Sequence, residues 1–504
     1  MIMIAPFRRT SLTLLALFFF IAATAQSIPV LPTDKEPDII RKAGNVVPSP
    51  RQLRWQELEL TAFFHFGINT FTDREWGDGK EDISVFNPTK LDARQWVRVV
   101  RDAGIKQVIL TAKHHDGFCL WPSRYTEHTI KNTPYKNGQG DIVKEVAAAC
   151  REYGIGFGVY LSPWDRNSPS YGDSAKYNSL FMHMLTELLT DYGKVDEVWF
   201  DGANGEGPNG KKQVYAFEAW YHLIRRLQPQ AVIAVMGPDV RWVGTESGTG
   251  RLTEWSVLPL NAGTQANIAA NSQKDATFAP LGNMMNDDLG SREKLLHASG
   301  LIWYPAETDV SIRPGWFYHA AQDTSVRTPE NLMEIYFSSV GRNSQLLLNI
   351  PPDKDGLISD ADIRSLQGWK KNRDVTFGAN LAAGSAIASA NGRNTALMLD
   401  GNTATNWTTT GNDTAATLDF TLTGPKIFDV LLLQENIRIG QRVEKFVLEY
   451  PDGAGWKMIT EGTTIGYKRL LRFPAVTTSR VRLRIVSSRL NPTIAEFGLY
   501  KLMQ

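Results

Sequence analysis

The stretch VDEVWFDGANG (195–205) runs an apolar strand core, Val198-Trp199-Phe200, directly into a carboxylate, Asp201, with Gly202 and Ala203 leaving it uncrowded. Asp-Gly is a common turn pair, so taken alone the stretch reads as a strand ending in a turn. The same grammar recurs along the chain. Apolar runs fit strands at 61–67, 106–112, 155–162, 195–201, 230–236, 300–307 and 344–350. Amphipathic patterns fit helices at 92–103, 142–153, 178–192, 214–227 and 330–340. Strands alternating with helices predict parallel β/α units, and a span from 26 to 365 suits an α/β fold of the (β/α)8-like TIM-barrel kind with enlarged loops.

Polar residues gather at the carboxyl ends of these strands. The first run contains His65, the second leads into Lys113-His114-His115-Asp116, the third carries Tyr160 and reaches Asp165, the fourth ends at Asp201, and another ends at Glu307. In a β/α barrel those ends face one mouth, where active sites are built. A turn accounts for a single Asp but not for the series, so Asp201 reads as a site residue. Its partner is sought in RWVGTESG (241–248), where Glu246 lies in the loop after the fifth strand; Glu254, in TEWS, is a competitor. Two carboxylates across a polar pocket are the minimum apparatus for glycoside hydrolysis.

Composition narrows the classes. Of 504 residues 42% are hydrophobic and 21% charged, and 54 basic against 53 acidic residues give no overall attraction to nucleic acid or anionic lipid. No phosphate-loop or nicotinamide motif stands out. Residues 1–25 read as a signal peptide: Arg8 and Arg9, an apolar run through Ile21, then Ala23-Thr24-Ala25. Cleavage near Ala25–Gln26 implies a periplasmic or secreted protein with no membrane anchor. Cys119 and Cys150 alone do not make a disulfide scaffold.

Eight separated stretches carry a family resemblance: FFHFGINTF (63–71), DREWGDG (73–79), LTAKHHDGFCLWPS (110–123), VYLSPWDRN (159–167), EVWFDGANG (197–205), RWVGTESG (241–248), SIRPGWFYH (311–319) and VGRNSQLLLNIPPDKDGLI (340–358). In this order they resemble glycoside hydrolase family 29, the α-L-fucosidases. The resemblance spans about residues 45 to 365. It implies Asp201 as nucleophile and Glu246 as general acid/base. His65, Glu75, Trp76, His114 and His115 match positions that bind fucose hydroxyls in such enzymes, Tyr160 and Trp199 match positions lining the pocket near the nucleophile, and Trp316 resembles a ring that packs on the apolar side of the sugar. No cofactor is implied for the reaction, and the implied partners are fucosylated oligosaccharides or glycoconjugates.

The mechanism this implies is a retaining double displacement, with the two carboxyls about 5–5.5 Å apart. The loop 241–248 and DREWGDG resemble the branch acting on α-1,3 and α-1,4 linkages, with the branch accepting aryl and α-1,2 fucosides as the alternative; loops 204–213 and 238–290 are expected to set leaving-group specificity. Two other classes stay open on the residues. A metal-dependent hydrolase could be drawn from His65, His114, His115, Asp116 and Asp201, although no HxH or HExxH motif is present. A noncatalytic glycan-binding protein on this scaffold would need to lack one of the carboxylates.

Beyond 365 the pattern changes. Residues 366–380 read as a linker, and 381–504 as an all-β jelly-roll sandwich with short strands at 416–422, 426–435, 445–450, 468–473 and 480–486. DGNTATNW (400–407) resembles discoidin-like, galactose-binding modules. Asp400, Asn402 and Trp407 are candidates there for a sugar site or a structural calcium site, with Trp407 as a core residue and the module as a brace the other reading.

Overall fold

A computed structural model describes residues 27–260 and 288–503. The leader 1–25 and most of the loop 238–290 lie outside the described residues. Eight parallel strands form the first domain: β1 Leu60–Phe64, β2 Gln107–Lys113, β3 Gly156–Leu161, β4 Glu197–Phe200, β5 Val232–Val235, β6 Arg241–Trp242, β7 Ala306–Ser311 and β8 Ser344–Asn349. Their order is β5-β4-β3-β2-β1-β8-β7-β6. A single parallel bridge between Ala234 and Val240 brings the two ends together, so the sheet is a nearly closed barrel.

Helices between the strands start on side-chain caps. Asp92, Asp141 and Asp173 each accept a backbone N–H from the first turn of their helix, which satisfies donors a helix start leaves open. The apolar faces of these helices pack on the outside of the strands in one large core.

Two expectations about the chain path change. The run 300–307 is not one strand: Gly300–Trp303 lies antiparallel between Ser27–Pro29 and Val257–Leu260 in a separate three-stranded sheet, and only from Ala306 does the chain join the barrel. Pro305 falls between them, where a residue without an N–H breaks a ladder at no cost. The expected linker 366–380 is mostly helix, since Asp360–Phe377 is continuous from its Ser359 cap, and Trp369 within it is wholly buried. Gly368 is small for a packing reason: a Cβ there would stand 2.5 Å from Pro329 of the neighbouring helix Pro329–Ser338.

The second domain is antiparallel β around its own core, in which Trp407, Leu418, Phe420, Phe428 and Phe497 are buried. Four of the short strands read from the sequence are two long ones, Ala416–Glu435 and Arg469–Ser488. Their ladder shifts register between Thr421 and Lys426, the bend that Gly424-Pro425 produces. Trp407 is fully enclosed and offers no face to a sugar.

The domains share a core: Val430, Leu432, Leu470 and Tyr500 pack into the apolar cluster of the barrel. Polar groups reinforce the seam. Glu59 accepts from Lys468 Nζ at 2.5 Å and from the hydroxyls of Tyr336 and Tyr467, each at 3.1 Å. Asn343 donates to the Glu254 carbonyl at 3.0 Å and accepts from Tyr467 N at 2.7 Å. Glu254 itself is buried against Arg241 and Arg251.

Inside the barrel floor, Glu197 accepts from Trp55 Nε1 at 3.0 Å and Gln107 Nε2 at 2.6 Å, and Glu307 accepts from Trp199 Nε1 at 2.7 Å. The two acids are wholly buried, and Glu197 Oε1 and Glu307 Oε2 have no hydrogen-bond partner. Burial pushes both carboxyls up, and Glu197 pushes Glu307 further.

Two outcomes are expected. Glu59→Ala leaves the Lys468 ammonium uncompensated in the seam and should cost about 3 kcal/mol in denaturant unfolding; a loss below about 0.5 kcal/mol would show the seam does not depend on it. The folded chain also keeps protons on Glu197 and Glu307 that an unfolded chain releases above about pH 4.3, so these groups make stability fall as pH rises from there. Glu197→Gln removes one of them, and its fall in Tm from about pH 5 to about pH 8 should be smaller than that of the parent; an equal fall would show that Glu197 holds no proton in the folded chain.

Candidate active site

The carboxyl ends of the strands build a pocket around Asp201. One of its oxygens, Oδ1, accepts from Ala203 N at 2.7 Å, while Oδ2 accepts from the Tyr160 hydroxyl at 3.0 Å. The turn reading and the site reading of DGA are therefore both realised, one on each oxygen. The Tyr160 ring is buried, stacked on Trp199 at 5.3 Å, and Trp199 is anchored below by its N–H to Glu307.

Three imidazoles line the wall from β1 and β2. Asn349 Nδ2 donates to the Trp316 carbonyl at 2.7 Å, so its Oδ1 faces His65 Nδ1 at 2.8 Å and that nitrogen carries the proton. The Ser162 hydroxyl donates to the Trp164 carbonyl at 2.7 Å, which leaves it to accept from His115 Nδ1 at 2.7 Å. Burial lowers His65 and His115 to about 4 and holds His114 well below its usual range, so all three are neutral near pH 7. In consequence the Nε2 atoms of His65 and His115 are acceptors. His115 Nε2 stands 3.8 Å from Asp201 Oδ2, two acceptors facing each other that a hydroxyl donor would satisfy. His114 stacks on Tyr160 at 5.7 Å and leaves its Nδ1 without a hydrogen-bond partner.

Glu75 and Trp76 separate in role. The Glu75 carboxylate accepts from Trp316 N at 2.7 Å, Phe317 N at 3.3 Å and His319 Nε2 at 2.6 Å, so it holds the 315–319 loop. A Cβ on Gly315 would lie 2.2 Å from that carboxylate, which is why the loop carries glycine there. Burial works against protonation of His319, but Asp73 and Glu75 outweigh it and raise its pKa. Trp76, 48% exposed, stands edge-on to His115 at 5.3 Å and to Trp164 at 5.5 Å, an open aromatic face at the mouth. Trp316 completes the opposite side, 5.1 Å from the His65 ring.

Trp316 Nε1 donates to Glu246 Oε2 at 3.2 Å. Glu246 lies at the exposed rim, yet enough protein surrounds it for desolvation to raise its pKa, and the charges of Asp201 and Glu75 raise it further. Glu254 is a different case, since its salt bridges to Arg241 and Arg251 bury it beneath the second domain, away from the pocket. Asp116 and Asp165 are structural: Asp116 accepts from Phe118 N and Asn69 Nδ2, and Asp165 pairs with Lys113 at 3.2 Å. Among the described residues no three His, Cys, Asp or Glu side chains converge as a metal ion would require.

Sequence reading passed over Asn349, Phe317 and Asp309. Asn349 closes the apolar strand run 344–350 as His65 and Asp201 close theirs, so the same rule applied to β8 would have found it. Asp309 was hidden because β7 itself was displaced.

Comparison with known proteins places the chain in a family. The α-L-fucosidase family model matches residues 51–371 and the F5/8 type C domain model residues 380–497. Alpha-L-fucosidase 1 of Arabidopsis thaliana is 43% identical over 90% of this chain and 87% of its own. A crystal structure from Bacteroides ovatus, assigned as an α-L-fucosidase, is 50% identical with a TM-score of 0.84, covering 95% of this chain and 78% of that one. The Ruminococcus gnavus GH29 fucosidase in complex with fucose is 31% identical with a TM-score of 0.80, covering 95% and 99%. The chain thus belongs to the α-L-fucosidase family, glycoside hydrolase family 29, and is a glycoside hydrolase with a discoidin-like second domain.

Proposed function

We propose that the protein is a retaining exo-α-L-fucosidase that removes terminal α-1,3- or α-1,4-linked L-fucose from glycans, working in the periplasm or outside the cell after loss of its leader. The observation that carries the mechanism is the contrast between two carboxyls at one mouth. Asp201 is held by two donors, Tyr160 and Ala203, with one oxygen facing the pocket. Glu246 is raised toward the protonated form by burial and by Asp201. Two acids whose surroundings separate their protonation are the acid/base pair such a reaction needs.

Asp201, as carboxylate, attacks the anomeric carbon while Glu246 gives its proton to the departing oxygen; Glu246 then takes a proton from water, which cleaves the fucosyl ester. The neutral Nε2 atoms of His65 and His115 accept sugar hydroxyls, and the faces of Trp76 and Trp316 cover apolar parts of the substrate. Deoxygenation at C6 gives fucose a methyl group that such rings suit.

The second domain is proposed to bind structural calcium. Glu496 is raised to about 7 by burial and by Asp400 beside it, and its Oε1 has no hydrogen-bond partner, so two carboxyls meet there without a counter-charge. Asp400, Glu496 and Asn402 are oxygen donors that suit a hard cation, which would neutralise the pair and fix the 400–405 loop.

Incubation with a Lewis-type trisaccharide and with an aryl α-L-fucoside tests the activity. Fucose is expected mainly from the trisaccharide, first as the α anomer by NMR, and Asp201→Ala should lose about 10⁴-fold in kcat. A first-formed β anomer would sink the retaining mechanism, and preference for the aryl fucoside would assign the broad branch instead. Glu246→Ala should lose trisaccharide cleavage and regain aryl-fucoside turnover with azide; no regain would remove Glu246 as acid/base. For calcium, EDTA should lower Tm by about 2–4 °C and added calcium restore it, whereas an unchanged Tm would refute the site.

A further inference from the structure

Strand β7 carries a buried acid beside the rim that the mouth residues do not account for. Asp309 is 4% exposed, its Oδ1 accepts from Trp242 Nε1 at 2.7 Å, and its backbone carbonyl accepts from Gly248 N at 3.1 Å. Trp242 and Gly248 bracket the loop that presents Glu246, so a single residue fastens both ends of it. One pleat lower, Val243 N donates to the Glu307 carbonyl at 2.8 Å. Tethered at these points along β7, the loop has its tip free only around Thr245, Glu246 and Ser247.

The charges around Asp309 are all of one sign. Glu246 faces it from the loop and Glu307 from the same strand, and both disfavour a negative charge on it. Glu307 in turn is pushed up by Glu197 on β4, and Glu246 by Asp201 and Glu75. Among the described residues none of Glu197, Glu307, Asp309 and Glu246 forms a salt bridge with Lys or Arg. Burial is the largest influence on Asp309 and acts in the same direction, against one opposing side-chain bond from Trp242. Burial and the two neighbouring acids thus push the Asp309 carboxyl toward its protonated form, in which it still accepts from the indole.

We propose that Asp309 is a positioning residue for the acid/base: its carboxyl and its backbone carbonyl anchor the two ends of the 242–248 loop and so fix where Glu246 meets the departing oxygen. This rests on Glu246 being the acid/base. An apolar residue at 309 would leave the Trp242 N–H without its partner and let the loop drift, and displacement of a reacting group by about 1 Å can cost about 100-fold. An ionised residue would place a second negative charge beside Glu246 and hold its proton too tightly. Neutral and hydrogen-bonding is the combination the position requires.

The test compares Asp309→Ala and Asp309→Asn in the full chain, on a fucosylated trisaccharide and on 2,4-dinitrophenyl α-L-fucoside, whose leaving group needs no proton. For Asp309→Ala, kcat/KM on the trisaccharide should fall about 100-fold and on the dinitrophenyl fucoside less than about 10-fold. Asp309→Asn, isosteric and neutral, should keep both values and leave unmoved the alkaline limb of the kcat/KM profile, where Glu246 loses its proton. Equal losses on both substrates would overturn the proposal, as would an alkaline limb moved down by about one pH unit or more in Asp309→Asn, since that would show an ionised Asp309 in the parent. Should the alanine variant not fold, the Asn profile still decides. In a Glu246→Ala background, Asp309→Ala should add no further loss on the trisaccharide, and an added loss would overturn the proposal. Retained trisaccharide activity in Glu246→Ala alone would refute the acid/base assignment itself, and is read without any change at 309.

Discussion

Desolvation inside the barrel is the largest influence on the protonation of the buried acids and histidines around the site. The same burial that pushes His65, His114 and His115 down to their neutral forms pushes Glu197, Glu307 and Asp309 up to theirs. Bases and acids thus converge on zero charge, because each loses whichever form water would have stabilised. Asp201 differs in position: it lies at the end of β4, partly open, with two hydrogen-bond donors on its oxygens.

The second domain belongs to this arrangement as support for the far side of the mouth. Its strands enter the barrel core through Leu432, Leu470 and Tyr500, and Lys468 supplies the cation that Glu59 would otherwise lack. Glu254 shows how the support reaches the site. Its carboxylate holds Arg241 of β6, its backbone carbonyl accepts from Gln441 Nε2 and its backbone N–H donates to Thr464 Oγ1. The short strand that leads into the Glu246 loop is therefore fixed from behind by a residue whose own backbone is bound by the second domain.

What the sequence made legible follows from the same physics. Strands β1, β2, β3, β4, β5 and β8 stand out because they are apolar runs, and their polar terminal residues mark the mouth. Strand β6 has two residues, too few for any periodicity. Strand β7, Ala306–Ser311, is read only as the tail of the run 300–307, because Glu307, Asp309 and Ser311 are buried where an apolar residue is expected. The helix Asp360–Phe377 was hidden by polar residues and by Gly368, whose reason is contact with Pro329 and not flexibility. Among the site residues, motif and strand-end position sufficed for Asp201, Tyr160 and the three histidines. They did not distinguish Glu75, which holds a loop, from Trp76, which faces the opening, because both lie in the same two-residue motif and only the path of 315–319 separates them.

The polar strand that sequence patterning concealed is also the one to which the Glu246 loop is fastened. A barrel interior of Val, Ile and Leu at β7 would fold, but it would offer Trp242 and Trp199 no acceptors for their indole N–H groups and would leave both rings free to reorient. With acids there instead, each indole N–H has a fixed acceptor: Trp199 stacks on Tyr160, which donates to Asp201, and Trp242 begins the loop of Glu246. Asp201 and Glu246 are thereby linked to two indoles resting on Glu307 and Asp309, successive inward residues of one strand. Their relative position is then a property of the β7 pleat, a more rigid reference than either loop could supply by itself.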